Sequence, residues 1–188
     1  IQGARMGCKD IEYSNKIHIV DSKTSSVALG LLVAEAAQLI QEGFRFEEII
    51  KRLKIATNNV KIFICIPTLK YLMRSGRLSK TKGLLGTLLN LKPILTVNSD
   101  GNIVEAAKVI GQKRVIHKTV DLAIQFAKSV KNPRFGITHV AAPELAQWYG
   151  YKIRNIFNFS KVMISEASPA LSVHIGIGGA AIAVLGDS

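Results

Sequence analysis

The chain has few cysteines, few aromatic residues and no long apolar run. Its two cysteines, Cys8 and Cys65, are too few for a disulfide framework, which excludes the class of small disulfide-stabilised secreted domains. Cys65 lies in the apolar run 62–66 and is predicted to be a small, buried hydrophobic residue. No apolar run is long enough to cross a bilayer, and the first residues lack the apolar segment of a signal peptide. We therefore expect a globular protein of the reducing cytoplasm, without stable membrane insertion.

Catalytic motifs are also lacking. His18, His117 and His139 are scattered, and none has metal-ligand spacing to a cysteine or a carboxylate. The sequence has no Gly-x-Ser-x-Gly elbow, no Ser-His-Asp order and no paired-carboxylate site. These absences predict no catalytic residue and no metal site, and they favour a binding protein over an enzyme.

Acidic residues are scarce in the second part of the chain. The net charge of the 188 residues is +12, and residues 60–188 contain 17 basic and 6 acidic side chains. This excess of positive charge indicates an anionic partner, which from charge alone is a nucleic acid, a membrane surface, an anionic ligand or an acidic protein. Aromatic residues make up 6% of the chain, too few for the aromatic and basic interleaving of nucleic-acid binders. A basic nucleic-acid-binding module is therefore an alternative, and we do not predict nucleic acid as the partner.

The segment 69–93 contains six basic residues and no acidic one. Its first part predicts a short helix that Gly76 ends in a left-handed turn, and this turn fixes the position of Arg77. A second predicted helix has a broad leucine face, and Gly83 and Gly86 lie opposite that face, where another group can approach the backbone. An apolar helix beside a fixed guanidinium suits a ligand with an apolar body and an anionic head. The alternative is a core helix with a solvated basic end.

Strands and helices alternate along the chain, which predicts the α/β class. Asp100-Gly101 lies between two apolar strands and is a strong hairpin signal, so the sheet is expected to be mixed. Further predicted elements are a strand over Lys16–Val20, a helix over 26–41, a strand over Val60–Ile66 and a strand over 155–159. One strand alone cannot form a sheet, so the strand over Lys16–Val20 is expected either to join the strands of the second part or to belong to a sheet whose other strands lie upstream.

Three motifs resemble a known family. Thr68–Lys80 and Gly83–Leu95 are similar to the central signature of the DegV family of fatty-acid-binding proteins, in its FakB-like form. Asp21-Ser22-Lys23 with Gly30, and His174-Ile-Gly-Ile-Gly near the C-terminus, resemble two further motifs of that family and follow in the family's order. The resemblance covers nearly all of the chain.

The resemblance implies a fold of two domains. Residues 1–59 correspond to the C-terminal part of a first α/β/α domain with a parallel sheet, and residues 60–188 to a second, two-layer α/β domain with a mixed sheet. It also implies an N-terminal truncation, because two polar motifs of the family precede this region. A long-chain fatty acid is implied to lie buried between the two domains, and no other cofactor is implied.

The resemblance also assigns residues to this ligand. Arg77 and His174 are implied to hold the fatty-acid carboxylate. We add the hypothesis that Gly83, Gly86 and Leu89 form a wall of the acyl tunnel.

A partner protein is implied as well. In the family, a separate fatty-acid kinase phosphorylates the bound fatty acid, and Lys108, Lys113 and Arg114 are the candidates for docking it. The family shares its fold with dihydroxyacetone kinase domains, so a small-molecule kinase-like enzyme is the second alternative function.

Overall fold

The strands of the described residues form one mixed sheet. The computed structural model describes residues 2–9, 16–76, 91–158 and 162–187. Its strands are β1 (Val60–Cys65), β2 (Leu91–Val97), β3 (Ile103–Ile110), β4 (Arg134–His139), β5 (Met163–Glu166) and β6 (Ala180–Leu185). They lie in the order β3-β2-β1-β6-β4-β5. β4 and β5 run parallel, whereas the other neighbouring strands are antiparallel.

Helices cover both faces of this sheet. They are α1 (Gln2–Gly7), α2 (Ser26–Gln41), α3 (Phe46–Ala56), α4 (Lys70–Arg74), α5 (Gln112–Ala127), α6 (Pro143–Phe157) and α7 (Pro169–Ile175). α2 packs across β4, β6 and β1 on one face, whereas α5 and α6 pack on the other. α4 and α7 contact each other on the α2 face. None of the helices within the described ranges is long and apolar enough to span a membrane.

Strand alternation divides the core into two clusters. Along β1, Ile62 and Ile64 belong to the cluster under α2, whereas Phe63 and Cys65 belong to the cluster under α5 and α6. This division follows because successive residues of a strand point to opposite faces of the sheet. Every residue of β6 is buried, as expected for a central strand that is covered on both faces. Cys65 is fully buried, as predicted.

The α/β class and the mixed sheet are confirmed. The helix predicted over 26–41 is α2. The predicted hairpin joins β2 to β3, and the Asn98 side chain accepts a 2.9 Å hydrogen bond from the backbone N–H of Asn102 across its turn. Gly76 follows α4 with a φ of +69°, the left-handed conformation predicted for it.

Two predicted strands are wrong. Residues 17–20 lie outside any strand, and Ile17 is exposed, because a short apolar alternation forms a strand only when another strand pairs with it. Residues 155–157 form the last turn of α6. Tyr149, Ile153 and Phe157 recur every four residues and continue the apolar face of that helix toward the sheet.

α2 connects the first part of the chain to the sheet. Val27 of α2 packs so closely on Gly136 of β4 that a Cβ at residue 136 would overlap its side chain. An ion pair between Glu35 of α2 and Arg134 of β4 joins the same two elements. The division of the chain into domains at residue 59 stays a prediction.

Candidate functional site

A cavity of about 910 Å³ lies on the α2 face of the sheet. We call it the sheet cavity. Its apolar wall combines side chains from α2, the central strands, the hairpin and the two short helices: Leu29, Ile62, Ile64, Leu72, Val97, Ile103 and Ile175. Ile62, Ile64 and Leu72 are buried, whereas Leu29 is 41% exposed, so the wall extends from the core to the surface. The cavity can therefore remove at least part of an apolar group from water.

One rim of the sheet cavity is polar. The loop Asp21–Ser26 and the hairpin turn Asp100–Asn102 line it together. The backbone of the turn approaches the loop closely, since a Cβ at Gly101 would lie 3.4 Å from the carbonyl oxygen of Lys23. Gly101 also has a φ of +80°, which favours glycine.

Asp21 is already partnered within this loop. The backbone N–H of Lys23 donates a 3.1 Å hydrogen bond to Asp21 Oδ1, and Lys23 Nζ lies 3.5 Å from Asp21 Oδ2. The backbone hydrogen bond holds the pKa of the Asp21 carboxyl below its usual value. Lys23 thus offsets the charge of Asp21, whereas Asp100 in the hairpin turn adds a second carboxylate to the rim.

The N-terminus of α2 faces the same rim. Thr24, Ser25 and Ser26 line the cavity where the helix begins. The N-cap residue Ser25 makes no side-chain capping hydrogen bond within the described part of the chain. The first N–H groups of a helix carry partial positive charge and favour a nearby anion. Thr138, near the end of β4, adds a hydroxyl to the cavity lining, with 8% of its surface exposed.

His174 lies on α7 and lines the cavity. Its Nδ1 atom is buried and has no hydrogen-bond partner among the described residues. A buried ring nitrogen without a partner is costly, because it has lost its hydrogen bond to water. A polar group of a ligand in the cavity could supply that partner.

His139 also lines the cavity, and its Nδ1 is occupied. The backbone N–H of Ala142 donates to this atom over 3.3 Å. This bond requires a deprotonated Nδ1, and in the neutral ring the proton is then on Nε2. In the described ranges, no group of three or more His, Cys, Asp or Glu side chains could hold a metal ion.

The structure places the predicted site residues in different ways. His174 lies at the cavity. Arg77, Gly83, Gly86 and Leu89 lie outside the described residues, although Gly76, directly before Arg77, lines the cavity.

The predicted docking residues lie apart from the cavity lining. Lys108 is on β3, where its Nζ pairs with Glu105 Oε2 at 3.1 Å. Lys113 and Arg114 are exposed in the first turn of α5, which follows β3 after one residue. The three cations therefore cluster around one connection at the β3 edge of the sheet.

Most of the polar lining is not predicted from the sequence. The motif Asp21-Ser22-Lys23 is found there only as part of the family resemblance, and no ligand is predicted for the loop Asp21–Ser26, Thr138 or His139. The available signal was their position at strand and helix ends, where ligands of α/β proteins commonly bind.

A comparison with protein families matches this chain over residues 2–187 to the family model of uncharacterised proteins of the DegV family. The chain belongs to the DegV family. A DegV domain-containing protein of Staphylococcus aureus is 31% identical over 173 residues, which are 90% of this chain and 60% of that protein. A DegV domain-containing protein of Clostridium perfringens is 34% identical over 165 residues, 88% of this chain and 58% of that protein.

Solved DegV structures share this fold. A fatty-acid-binding DegV family protein from Streptococcus agalactiae matches with a TM-score of 0.86 at 23% identity, over 100% of this chain and 65% of that one. A DegV family protein from Eubacterium eligens, loaded with heptadecanoic acid, matches with a TM-score of 0.83 at 22% identity, over 99% of this chain and 67% of that one. The fatty-acid-binding DegV protein of Bacillus subtilis matches with a TM-score of 0.79 at 27% identity, over 90% of this chain and 60% of that one.

The chain is shorter than these relatives. It spans 58% to 60% of the length of the curated DegV proteins that it matches.

Proposed function

We propose that this chain binds a long-chain fatty acid, with the acyl tail along the apolar wall of the sheet cavity and the carboxylate at its polar rim. One observation carries the proposal: a single cavity combines an aliphatic wall with His174, whose buried Nδ1 has no hydrogen-bond partner among the described residues. Two solved DegV family structures with heptadecanoic or vaccenic acid, and a similar structure of a stearic-acid-binding protein, support the same ligand class.

The energetics favour a ligand that is mostly hydrocarbon. Each methylene moved from water into an apolar site contributes about 0.8 kcal/mol. A cavity of about 910 Å³ lies within the size range of sites that bury most of a small ligand. Affinity then comes mainly from the tail, and the rim orients the head group.

His174 and the start of α2 are the described groups that suit a carboxylate. A proton on His174 Nδ1 can be donated to a carboxylate oxygen, which satisfies a ring nitrogen that is otherwise unpartnered among the described residues. The N-terminus of α2 adds a favourable dipole at the same rim. Arg77 is proposed as a second carboxylate ligand, and Gly83, Gly86 and Leu89 as part of the tunnel wall, on the family resemblance.

We propose that the protein binds this fatty acid without transforming it. Two titratable residues of the cavity lining already accept local hydrogen bonds: Asp21 accepts from the backbone N–H of Lys23, and His139 Nδ1 accepts from the backbone N–H of Ala142. We therefore assign neither Asp21 nor His139 as a general base that removes a proton from a nucleophile.

We also propose a role in presenting the fatty acid to a fatty-acid kinase in the cytoplasm. Lys108, Lys113 and Arg114 are the docking candidates, and their grouping around the β3–α5 connection supports a surface for an acidic partner. The pairing of Lys108 with Glu105 leaves Lys113 and Arg114 as the main contributors of positive charge at this surface.

The test compares two ligands with the same chain length. Isothermal titration calorimetry is run with stearic acid and with 1-octadecanol, which lacks the carboxylate. We expect stearic acid to bind more tightly, and His174→Gln to weaken it by about 10-fold or more, because a hydrogen bond to a charged group contributes about 1.5–3 kcal/mol. Octadecanol binding should change little in the same variant.

His117→Gln is the matched control, since His117 is an exposed histidine of α5 that does not line the cavity. Absence of stearic acid binding would overturn the proposed function. Equal losses for both ligands in His174→Gln would overturn the assignment of the carboxylate to His174.

A further inference from the structure

The helix that carries His174 is short and shallowly buried. α7 has 7 residues, and none of these described residues is fully buried. A helix of two turns is not stable by itself in water, so its position must come from contacts with the rest of the fold. The contacts at the C-terminal end of α7 therefore determine the position of His174.

The N-terminal end of α7 is fixed by hydrogen bonds within its own segment. Ser172 Oγ donates to the carbonyl oxygens of Ala167 and Ser168, over 3.3 Å and 3.0 Å. These bonds lie one turn away from the C-terminal end. They fix the start of the helix, so the orientation of His174 depends on other contacts.

The C-terminal end of α7 lies under an aromatic ring. Gly176 follows the helix with a φ of +82°, and a Cβ at this residue would lie 2.5 Å from both Cδ2 and Cε2 of Tyr71. The Tyr71 ring therefore rests directly on the backbone of Gly176, two residues after His174. On the far side of the same turn, the Gly178 N–H donates to the Val140 carbonyl over 2.8 Å.

Tyr71 is held in turn by its neighbour in α4. Leu72 is 1% exposed and belongs to the core cluster that includes Ile175 at the end of α7. Tyr71 itself is 40% exposed, so its ring contributes little to the core. The ring lies instead against the turn that ends α7.

We propose that Tyr71 is a positioning residue for His174, acting through Gly176. The ring presses the end of α7 against the end of β4 and so holds His174 Nδ1 at the cavity wall. This proposal rests on the proposed function, because the benefit of a fixed His174 is a carboxylate bound at that nitrogen. Only glycine at residue 176 permits the contact, both for its φ and for the space under the ring.

The experiment has one arm without ligand and one with ligand. The first arm records the imidazole signals of His174 by NMR across a pH titration of the ligand-free chain, with His174→Gln to assign them among the 4 histidines. We expect Tyr71→Ala to shift the His174 signals and their titration midpoint, and Tyr71→Phe to leave both unchanged. The second arm measures stearic acid affinity, which we expect to fall by on the order of tenfold in Tyr71→Ala and to stay within twofold in Tyr71→Phe.

Tyr151→Ala is the matched control, because Tyr151 is an exposed tyrosine of α6 that is not part of the cavity lining. If Tyr71→Ala does not fold, Tyr71→Leu replaces it, since leucine keeps apolar bulk without a flat ring and should shift His174 in the same way. Unchanged His174 signals in the variant that folds would overturn the proposal. Failure of the wild-type chain to bind stearic acid would instead overturn the proposed function, and the ligand-free arm would still test the link between Tyr71 and His174.

Discussion

The two faces of the sheet are built from the same strands and differ in how completely they are filled. On the α5–α6 face, large side chains such as Tyr149, Ile137 and Ile153 are fully buried and form a closed core. On the α2 face, α2 and the short helices α4 and α7 leave the sheet cavity between them. Successive residues of one strand point to opposite faces of the sheet, so one residue contributes to the closed core and the next to the face that holds the sheet cavity.

The difference has a physical cause in the helices. α5 and α6 are 16 and 15 residues long and cross the sheet. Among the described helices of the other face, α4 and α7 have only 5 and 7 residues. A closed face stabilises the fold, whereas a face whose described helices leave a cavity can admit a ligand. We therefore expect substitutions on the two faces to separate stability from ligand binding.

The largest effect is expected from the closed face. Ile153→Ala removes a fully buried side chain of α6 and should lower the free energy of unfolding by about 2–5 kcal/mol, because it leaves a cavity in a tightly packed core. Urea unfolding followed by circular dichroism measures this loss. The affinity of the folded protein for stearic acid should not change.

Ile156→Ala is the control on the same helix, since Ile156 is exposed and its truncation should cost less than about 0.5 kcal/mol. Loss of affinity in Ile153→Ala without loss of stability would contradict the expectation that this face determines stability and the α2 face determines ligand binding.

A smaller effect, on ligand affinity and not on stability, is expected on the α2 face, which holds the sheet cavity. Val97→Phe adds bulk to a residue of β2 that lines the sheet cavity, so it should lower stearic acid affinity by about tenfold while changing stability little. Fluorescence displacement with acids of decreasing length should show a smaller loss for shorter tails. Val33→Phe on the exposed side of α2 is the matched control and should bind like the wild type. Equal affinities of Val97→Phe and wild type would contradict the placement of the tail along this wall.

The smallest expected effect is a loss of stability at alkaline pH, caused by Cys65 and Tyr149 in the core under α5 and α6. Burial raises the pKa of the Cys65 thiol above its ordinary value of 9.0, and burial also raises the pKa of the Tyr149 hydroxyl. As pH rises, these groups ionise first in the unfolded chain, so the contribution of Cys65 to stability falls above about pH 9 and that of Tyr149 above about pH 10. The decline is at most about 1.4 kcal/mol per pH unit for each group.

Chemical denaturation between pH 7 and pH 10.5 (about the range that spans both ordinary values) measures this decline. Cys65→Ala should reduce the alkaline slope, whereas Cys8→Ala should leave it unchanged. A slope that is identical in all three proteins would show that Cys65 does not contribute to it.

Local signals predicted most of the fold. The amphipathic spacing from Ser26 to Gln41, the Asp100-Gly101 turn and Gly76 each specify backbone geometry within a few residues, and each is found as predicted. The strand predicted at Lys16–Val20 failed for the opposite reason. A strand needs a partner strand, and no local signal shows whether one is present.

The site was harder to predict than the fold. His174 was identified by resemblance alone, because a single histidine carries no spacing that indicates a ligand. The polar side chains that line the cavity come from the loop after residue 20, the β2–β3 turn and the end of β4, which are far apart in sequence. The contact of Tyr71 with Gly176 spans more than 100 residues and could not be read from either motif. The roles of Arg77, Gly83, Gly86 and Leu89 stay predictions.

The most direct test of the proposed function is native mass spectrometry of the purified chain, followed by solvent extraction and identification of the bound lipid. We predict one long-chain fatty acid per chain, which stearic acid displaces and which is reduced in His174→Gln. A chain that carries no fatty acid as purified, and that takes up none when incubated with excess stearic acid, would contradict the assignment of the sheet cavity as a fatty-acid site.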